Sequence, residues 1–249
     1  MSVKFVLVLC ISLLCYQSYA AYSIVDYGAV PNVNSNEAAW TNSVALTAAI
    51  LAANNSVTDD RTALIPANYS FYIFEVEVSK LFNITIEIDG TLLISNNITA
   101  WPPSNPKHTL AALYIGDSEY IILQGKGVFD GQGYDWWVYV FETTIDNRPM
   151  MICMERVSNL LIHELYFKNS PQYHLDLRDL EEVIIRNINI HVDVENQKAL
   201  YRKYNLLNEI GIPVFPLNTD GIDPQGFFFF FFSFFLTKLK LKFEFSKLF

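Results

Sequence analysis

The sequence predicts an all-β solenoid, a parallel β-helix closed at one end by a single α-helix. Three observations carry this expectation. Four ten-residue segments resemble one another: NITIEIDGTL from Asn83, YIILQGKGVF from Tyr120, NLLIHELYFK from Asn159 and EVIIRNINIH from Glu182. Their successive offsets of 37, 39 and 23 residues fit one repeat length, enlarged twice by an insertion, and periods of about 20–50 residues mark stacked coils. Helical periodicity is confined to residues 37–53, after which short β-rich runs take over. A single coil cannot bury its own apolar face, so it must stack on its neighbours. A β-sandwich with four similar strands is the competing architecture.

The elements follow in order. Lys4 precedes the almost wholly apolar residues 5–15, and Ser18 and Ala20 are small residues near position 20. This reads as a secretory signal peptide, residues 1–20, cut after Ala20. The alternative, a membrane anchor, would need a longer run to cross about 30 Å of hydrocarbon. Residues 22–30 alternate loosely and end at a glycine turn. Asn34, Ser35 and Asn36 are N-cap candidates for a helix whose apolar face would carry Trp40, Val44, Ala48 and Leu51, ending near Asn54 and Asn55. Strand-like runs then occupy residues 71–78, 84–94, 120–129, 160–167 and 183–192, with turn residues between them. Residues 21–226 are read as the β-helix domain.

Bulk properties narrow the classes. The formal charge is −9; setting aside Lys4 and the net +3 of residues 227–249 leaves −13 on residues 21–226. Such a surface repels nucleic acid and anionic membranes at long range, so no nucleic-acid partner is expected, and no membrane partner after signal cleavage. A polyanionic sugar would be repelled too, unless met by a local cationic site. Cys10 and Cys15 leave with the signal, so Cys153 alone remains and no internal disulfide can form. Sequons at Asn54, Asn68, Asn83 and Asn97 predict a glycoprotein surface; Asn83 is the least certain of them, because it opens a strand-like run.

Two segments stand out for chemistry. Asp130-Gly131-Gln132-Gly133 with Trp136-Trp137 is either a glycine corner packed under two tryptophans or a flat aromatic platform for a sugar. Asn218-Thr219-Asp220-Gly221-Ile222-Asp223 is the densest polar cluster. If residues 218–222 form a strand, Asn218, Asp220 and Ile222 share one face, and Thr219, Gly221 and Asp223 the other. Glycoside hydrolysis needs two carboxyl groups, roughly 6.5–9.5 Å apart in inverting enzymes. Asp220 and Asp223 would not form that pair across one short strand, so the partner would come from a neighbouring coil. Turns and calcium loops also use such Asp-Gly clusters.

The residues as a set resemble the polygalacturonases, glycoside hydrolase family 28. Val25-Asp26-Tyr27-Gly28-Ala29 and the following helix are similar to the family's opening. Asp130 to Gly133 with Trp136-Trp137 resembles its DGQG…WW segment. Arg148-Pro149, Ile152, Asn169-Ser170-Pro171 and His174 resemble its RP…I…NSP…H stretch, and Asn218 to Asp223 matches NTDGID letter for letter. The resemblance covers residues 22–224. It implies a right-handed parallel β-helix that acts as a monomer on pectin or polygalacturonate outside the cell, and it implies no metal and no cofactor. It also implies inverting hydrolysis of α-1,4 galacturonosyl bonds. Asp220 matches the aspartate that helps activate water, Asn218 the asparagine that supports the site, and Asp223 a supporting position. His174 is not the family's catalytic histidine, and a satisfied structural role is expected for it.

Three family elements that follow NTDGID do not occur here: an Asp-Asp pair carrying the proton donor, a Gly-His-Gly motif, and an Arg-Ile-Lys motif that binds the sugar carboxylate. Residues 227–249 instead hold 11 of the 19 phenylalanines. Phe227 to Leu236 is too short to span a membrane, and residues 238–245 alternate like an aggregation-prone strand. The abrupt change in composition favours translated non-coding sequence. The expectation is a truncated, catalytically incomplete hydrolase; the alternative is a non-catalytic secreted β-helix that binds acidic glycan, or a defective fragment.

Overall fold

The computed structural model describes residues 21–58, 60–102, 110–143, 147–195, 216 and 219–225. The signal segment, residues 227–249 and Asn218 lie outside these described residues. The chain opens with β1 (Tyr22–Ser23) and a 3-10 turn (Ile24–Tyr27) closed by Gly28 at φ 90°. Helix α1 (Asn36–Asn54) follows, capped by Ser35, whose Oγ accepts from the Ala38 amide at 3.1 Å. Next come β2 (Thr62–Ile65), β3 (Ser70–Ile73), β4 (Val76–Ser79), β5 (Phe82–Ile88), β6 (Thr91–Ile94), β7 (Ala111–Gln124) and β8 (Val128–Asp130). Helix α2 (Tyr134–Thr143) precedes β9 (Met150–His163), β10 (Tyr166–Lys168), β11 (Leu175–Arg178), β12 (Glu181–Arg186), β13 (Asn189–His191) and β14 (Ile222–Gln225).

All strand pairs are parallel. One sheet runs β1-β2-β5-β7-β9-β11-β14, with β4 beside β7 and β12 beside β9; the other runs β13-β10-β8-β6-β3. This is a coil stacked on coil. The four similar segments set the register: Ile84 lies beside Ile121, Ile121 beside Leu160, and Leu160 beside Val183. Each is the second residue of its segment, so the sequence offsets are the coil offsets. Side chains in these rows point inward and stack. A second interior row runs Phe71, Leu92, Phe129, Phe167 and Ile190, and its first four members are fully buried.

Corners are made by stacked left-handed residues. Lys80, Asp117, Arg156 and Asp179 form one such line (φ 47–57°), and Asn83, Tyr120, Asn159 and Glu182 another (φ 52–56°). Each such residue costs about 1 kcal/mol outside glycine, and asparagine and aspartate tolerate it best. The cost recurs in register because one bend must be made in every coil. Asp117 and Arg156 also pair with each other across adjacent coils at 2.5 Å. At Gly125 (φ 138°) the constraint is steric: a Cβ there would lie 2.0 Å from the Ile88 carbonyl oxygen.

Two expectations about the elements need correction. Each predicted run spans a corner and contains parts of two strands in different sheets; residues 84–94, for example, hold β5 and β6 with Asp89-Gly90 between them. The face of α1 is also the reverse of that expected. Val44 is 68% exposed and Trp40 and Leu51 are exposed, while Ala38, Ala39, Asn42, Ser43, Ala45, Leu46, Ala49, Ile50 and Ala53 are buried. The helix is apolar around much of its circumference, so size alone misplaced the stripe. Small side chains let it lie close to the first coil. Asn42 is admitted because it accepts from the Val30 amide (2.6 Å) and donates to the carbonyls of Val30 (3.2 Å) and Tyr72 (2.9 Å). Ser43 Oγ similarly accepts from the Phe74 amide at 3.0 Å.

Candidate active site

The motif residues meet at one end of α2 and the turn before β11. Gly131 and Gly133 donate their amides to the carbonyls of Lys168 (2.7 Å) and Asn169 (2.9 Å). A Cβ on Gly133 would lie 2.7 Å from both the Asn169 carbonyl and the Trp137 ring, so the turn admits only glycine here. Asp130 pairs with Lys168 at 3.2 Å. Trp136 and Trp137 are both fully buried. The packing reading of this pair therefore holds, and neither ring is a sugar platform. Trp137 Nε1 donates to the Ser170 carbonyl at 3.0 Å, and Asn169 Nδ2 donates to the Tyr134 hydroxyl at 3.0 Å. Arg148, buried, donates from Nη1 to the Pro171 carbonyl at 3.0 Å.

This frame leads to His174. The ring is fully buried. Its Nε2 accepts from the Ser170 amide at 3.2 Å, which leaves the proton on Nδ1, 3.2 Å from the Asp220 carbonyl oxygen. The His174 amide donates to that same oxygen at 3.0 Å. Burial pulls the imidazole down to about 4, against the two backbone hydrogen bonds that raise it. His174 is thus neutral and fully engaged, as the sequence led one to expect. It clasps the backbone of Asp220 and leaves that residue's side chain exposed.

Among the described residues here, Thr219, Asp220 and Gly221 are outside any strand, and β14 begins at Ile222. Ile222 is in register with the buried Leu175, on the core side, whereas Asp223 is in register with Asp176. By alternation, Asp223, Asp176, Cys153, Tyr114 and Glu77 form one row on the outer side of β14, β11, β9, β7 and β4. The expected neighbour-coil carboxylate therefore exists beside Asp223, but it is not a free acid. Asp176 is fully buried, paired with Arg178 at 2.5 Å, and its Oδ1 accepts from Gln225 Nε2 at 3.1 Å. The same Gln225 nitrogen donates to Asp223 Oδ2 at 2.9 Å. A buried carboxyl group requires such partners. Next along the row, burial pushes the Cys153 thiol up to about 12, and burial together with Glu155 pushes the Tyr114 phenol up to about 12. Asp176, Arg178, Gln225 and Tyr134 were not singled out in the sequence; alternation in Leu175-Asp176-Leu177-Arg178 was the one available signal for the first two.

Known structures share this solenoid of parallel coils. The endo-xylogalacturonan hydrolase of Aspergillus tubingensis superposes with a TM-score of 0.58 at 19% identity, over 75% of this chain and 45% of that one. The polygalacturonase of Erwinia carotovora gives 0.53 at 18%, over 72% and 47%. The fold is the right-handed parallel β-helix. Residues 58–226 match the model of glycosyl hydrolases family 28, and the chain belongs to that family. Among curated relatives, a polygalacturonase of Cryptomeria japonica is 31% identical over 141 residues, covering 51% of this chain and 26% of its own length. Exopolygalacturonase A of Aspergillus niger is 25% identical over 172 residues, covering 64% and 40%. The chain spans from about a quarter to two-fifths of the length of the curated relatives it matches.

Proposed function

We propose that residues 21–226 are the polygalacturonase-type part of this chain, secreted under the direction of residues 1–20 and directed at the α-1,4 galacturonosyl bonds of pectin. The carrying observation is the single hydrogen-bonded frame that links the DGQG, RP, NSP and His174 elements to the Asp220 carbonyl. It holds the Asp220 carbonyl by two hydrogen bonds from His174 and leaves the residue exposed to solvent. In the inverting reaction, Asp220 would take a proton from the water attacking the anomeric carbon, with Asn218 supporting the site. Asp223, tied to Gln225 and Asp176, is a supporting group that fixes the strand.

The leaving glycosidic oxygen must be protonated as its bond breaks, and proton donation of this kind is typically worth 10²–10⁴-fold. The residues of this chain supply no Asp-Asp pair after NTDGID, nor an Arg-Ile-Lys cation to hold the sugar carboxylate. The proposal therefore includes that this exact chain hydrolyses polygalacturonate little or not at all. The purified protein is to be incubated with polygalacturonate and assayed for reducing ends, beside a chimera in which residues 227–249 are replaced by coils bearing those motifs. Silence from the chain and activity from the chimera are expected, the latter lost in Asp220→Asn. Activity of the chain alone refutes its inactivity; a silent chimera removes support for the hydrolase reading.

A further inference from the structure

The feature that the site leaves unused is an aromatic pair on an outer corner, beside a sequon. Phe82 and Tyr120 are 55% and 46% exposed, and their rings meet edge to face with centroids 5.6 Å apart. Next to Phe82 in the chain is Asn83, exposed and at φ 52°, the first residue of Asn83-Ile84-Thr85. Register pairs Phe82 with Glu119 and Ile84 with Ile121, which sets Asn83 opposite Tyr120, itself at φ 56°. Two residues of the same left-handed conformation on adjacent strands, about 4.8 Å apart, send their side chains out in parallel. The Asn83 amide therefore leaves the surface alongside the Tyr120 ring. Asn83 does open a strand, as the second residue of β5, but its left-handed backbone bends the strand there and leaves the residue exposed.

The backbone beneath is firmly held. Arg61 donates from Nε to the Asn83 carbonyl and from Nη2 to the Phe82 carbonyl, both at 2.8 Å, and from Nη1 to the Ser56 carbonyl at 2.7 Å. The Phe82 amide donates to Asn54 Oδ1 at 2.8 Å. The aromatic pair is thus a rigid, exposed apolar face, and preorganisation lowers the entropic cost of covering it. By contrast, the Asn97 amide is already engaged: it donates to Asn36 Oδ1 at 3.0 Å and accepts from Thr99 at 2.9 Å.

We infer that Asn83 carries an N-linked glycan whose first N-acetylglucosamine packs its apolar face on the Phe82–Tyr120 pair, so that the sugar is part of the folded surface. The inference rests on the secretory reading. It is tested on the full chain made with its own leader in a eukaryotic secretory host, with occupancy at each sequon read by glycopeptide mass spectrometry. Glycans are then trimmed enzymatically to one N-acetylglucosamine, and Tm is measured for the unsubstituted chain, Asn83→Gln, Tyr120→Asn and the double variant. Tyr120→Asn keeps a residue suited to φ 56° while removing the ring. Expected are an occupied Asn83, a Tm loss of about 2–4 °C in Asn83→Gln, and no such loss when Tyr120 is already Asn. An unmodified Asn83 beside an occupied Asn68 overturns the inference and leaves secretion standing. Equal Tm losses in both backgrounds overturn the packing. No occupancy at any sequon sinks the inference and the secretory reading together.

Discussion

His174 joins two distant segments with both ring nitrogens, and its protonation state is dictated by what it touches. The Ser170 amide needs a lone pair on Nε2, so an imidazolium cannot keep that bond. Burial holds the folded-state value at about 4, below the ordinary 6.5. The sign follows from linkage: between those values the unfolded chain binds more protons, so stability rises with pH. The contribution is full above about 6.5 and is lost as pH falls towards 4, a difference of roughly 3 kcal/mol. Urea unfolding at pH 7 and pH 4.5 should show the parent chain losing more stability than His174→Gln, whose side chain does not titrate. Equal losses would mean that the imidazole is not buried neutral. The contact is to the Asp220 carbonyl and not to its carboxylate, so the ring positions the proposed catalytic group through its backbone.

At the scale of the element, α1 shows how a helix closes a solenoid. Its alanine-rich face lies against the first coil, and two polar residues in that face, Asn42 and Ser43, tie it to backbone groups of Val30, Tyr72 and Phe74. Losing Asn42 would strand the Val30 amide and the Tyr72 carbonyl, and each buried unpaired group costs about 1–3 kcal/mol. Asn42→Ala should therefore destabilise by about 2–3 kcal/mol in chemical denaturation. Val44→Ala, on the exposed side, should stay within about 0.5 kcal/mol. The reverse ranking would restore the face that residue size had suggested. The strands make a related point: β7 and β9 are long because each crosses a left-handed corner without ending.

At the scale of the whole molecule, stability comes from rows that run across coils. Cys153 sits in the middle of the outer row, flanked by Tyr114 and Asp176 and fully buried. Its thiol is held protonated up to about 12, and the thiolate is the reactive form. A chromogenic thiol reagent at pH 8 should therefore leave the native protein almost unlabelled and react at the rate at which the coils open. In denaturant, one thiol per chain is expected after removal of residues 1–20, and three if they are retained. Rapid native labelling would mean that the outer row opens locally.

What the sequence by itself determined is what repeats. The apolar positions of successive coils must match, so the offsets of 37, 39 and 23 residues are also the register of β5, β7, β9 and β12. The motif residues of the site were legible for the same local reason, since turns and close approaches demand particular residue types. Only the tertiary structure decided the buried side of α1, the bond of Gln225 to Asp176, the clasp of His174 on Asp220 and the stacking of Asn83 beside Tyr120. Each depends on a partner one coil or more away, and a neighbour across coils leaves no periodic mark in the chain.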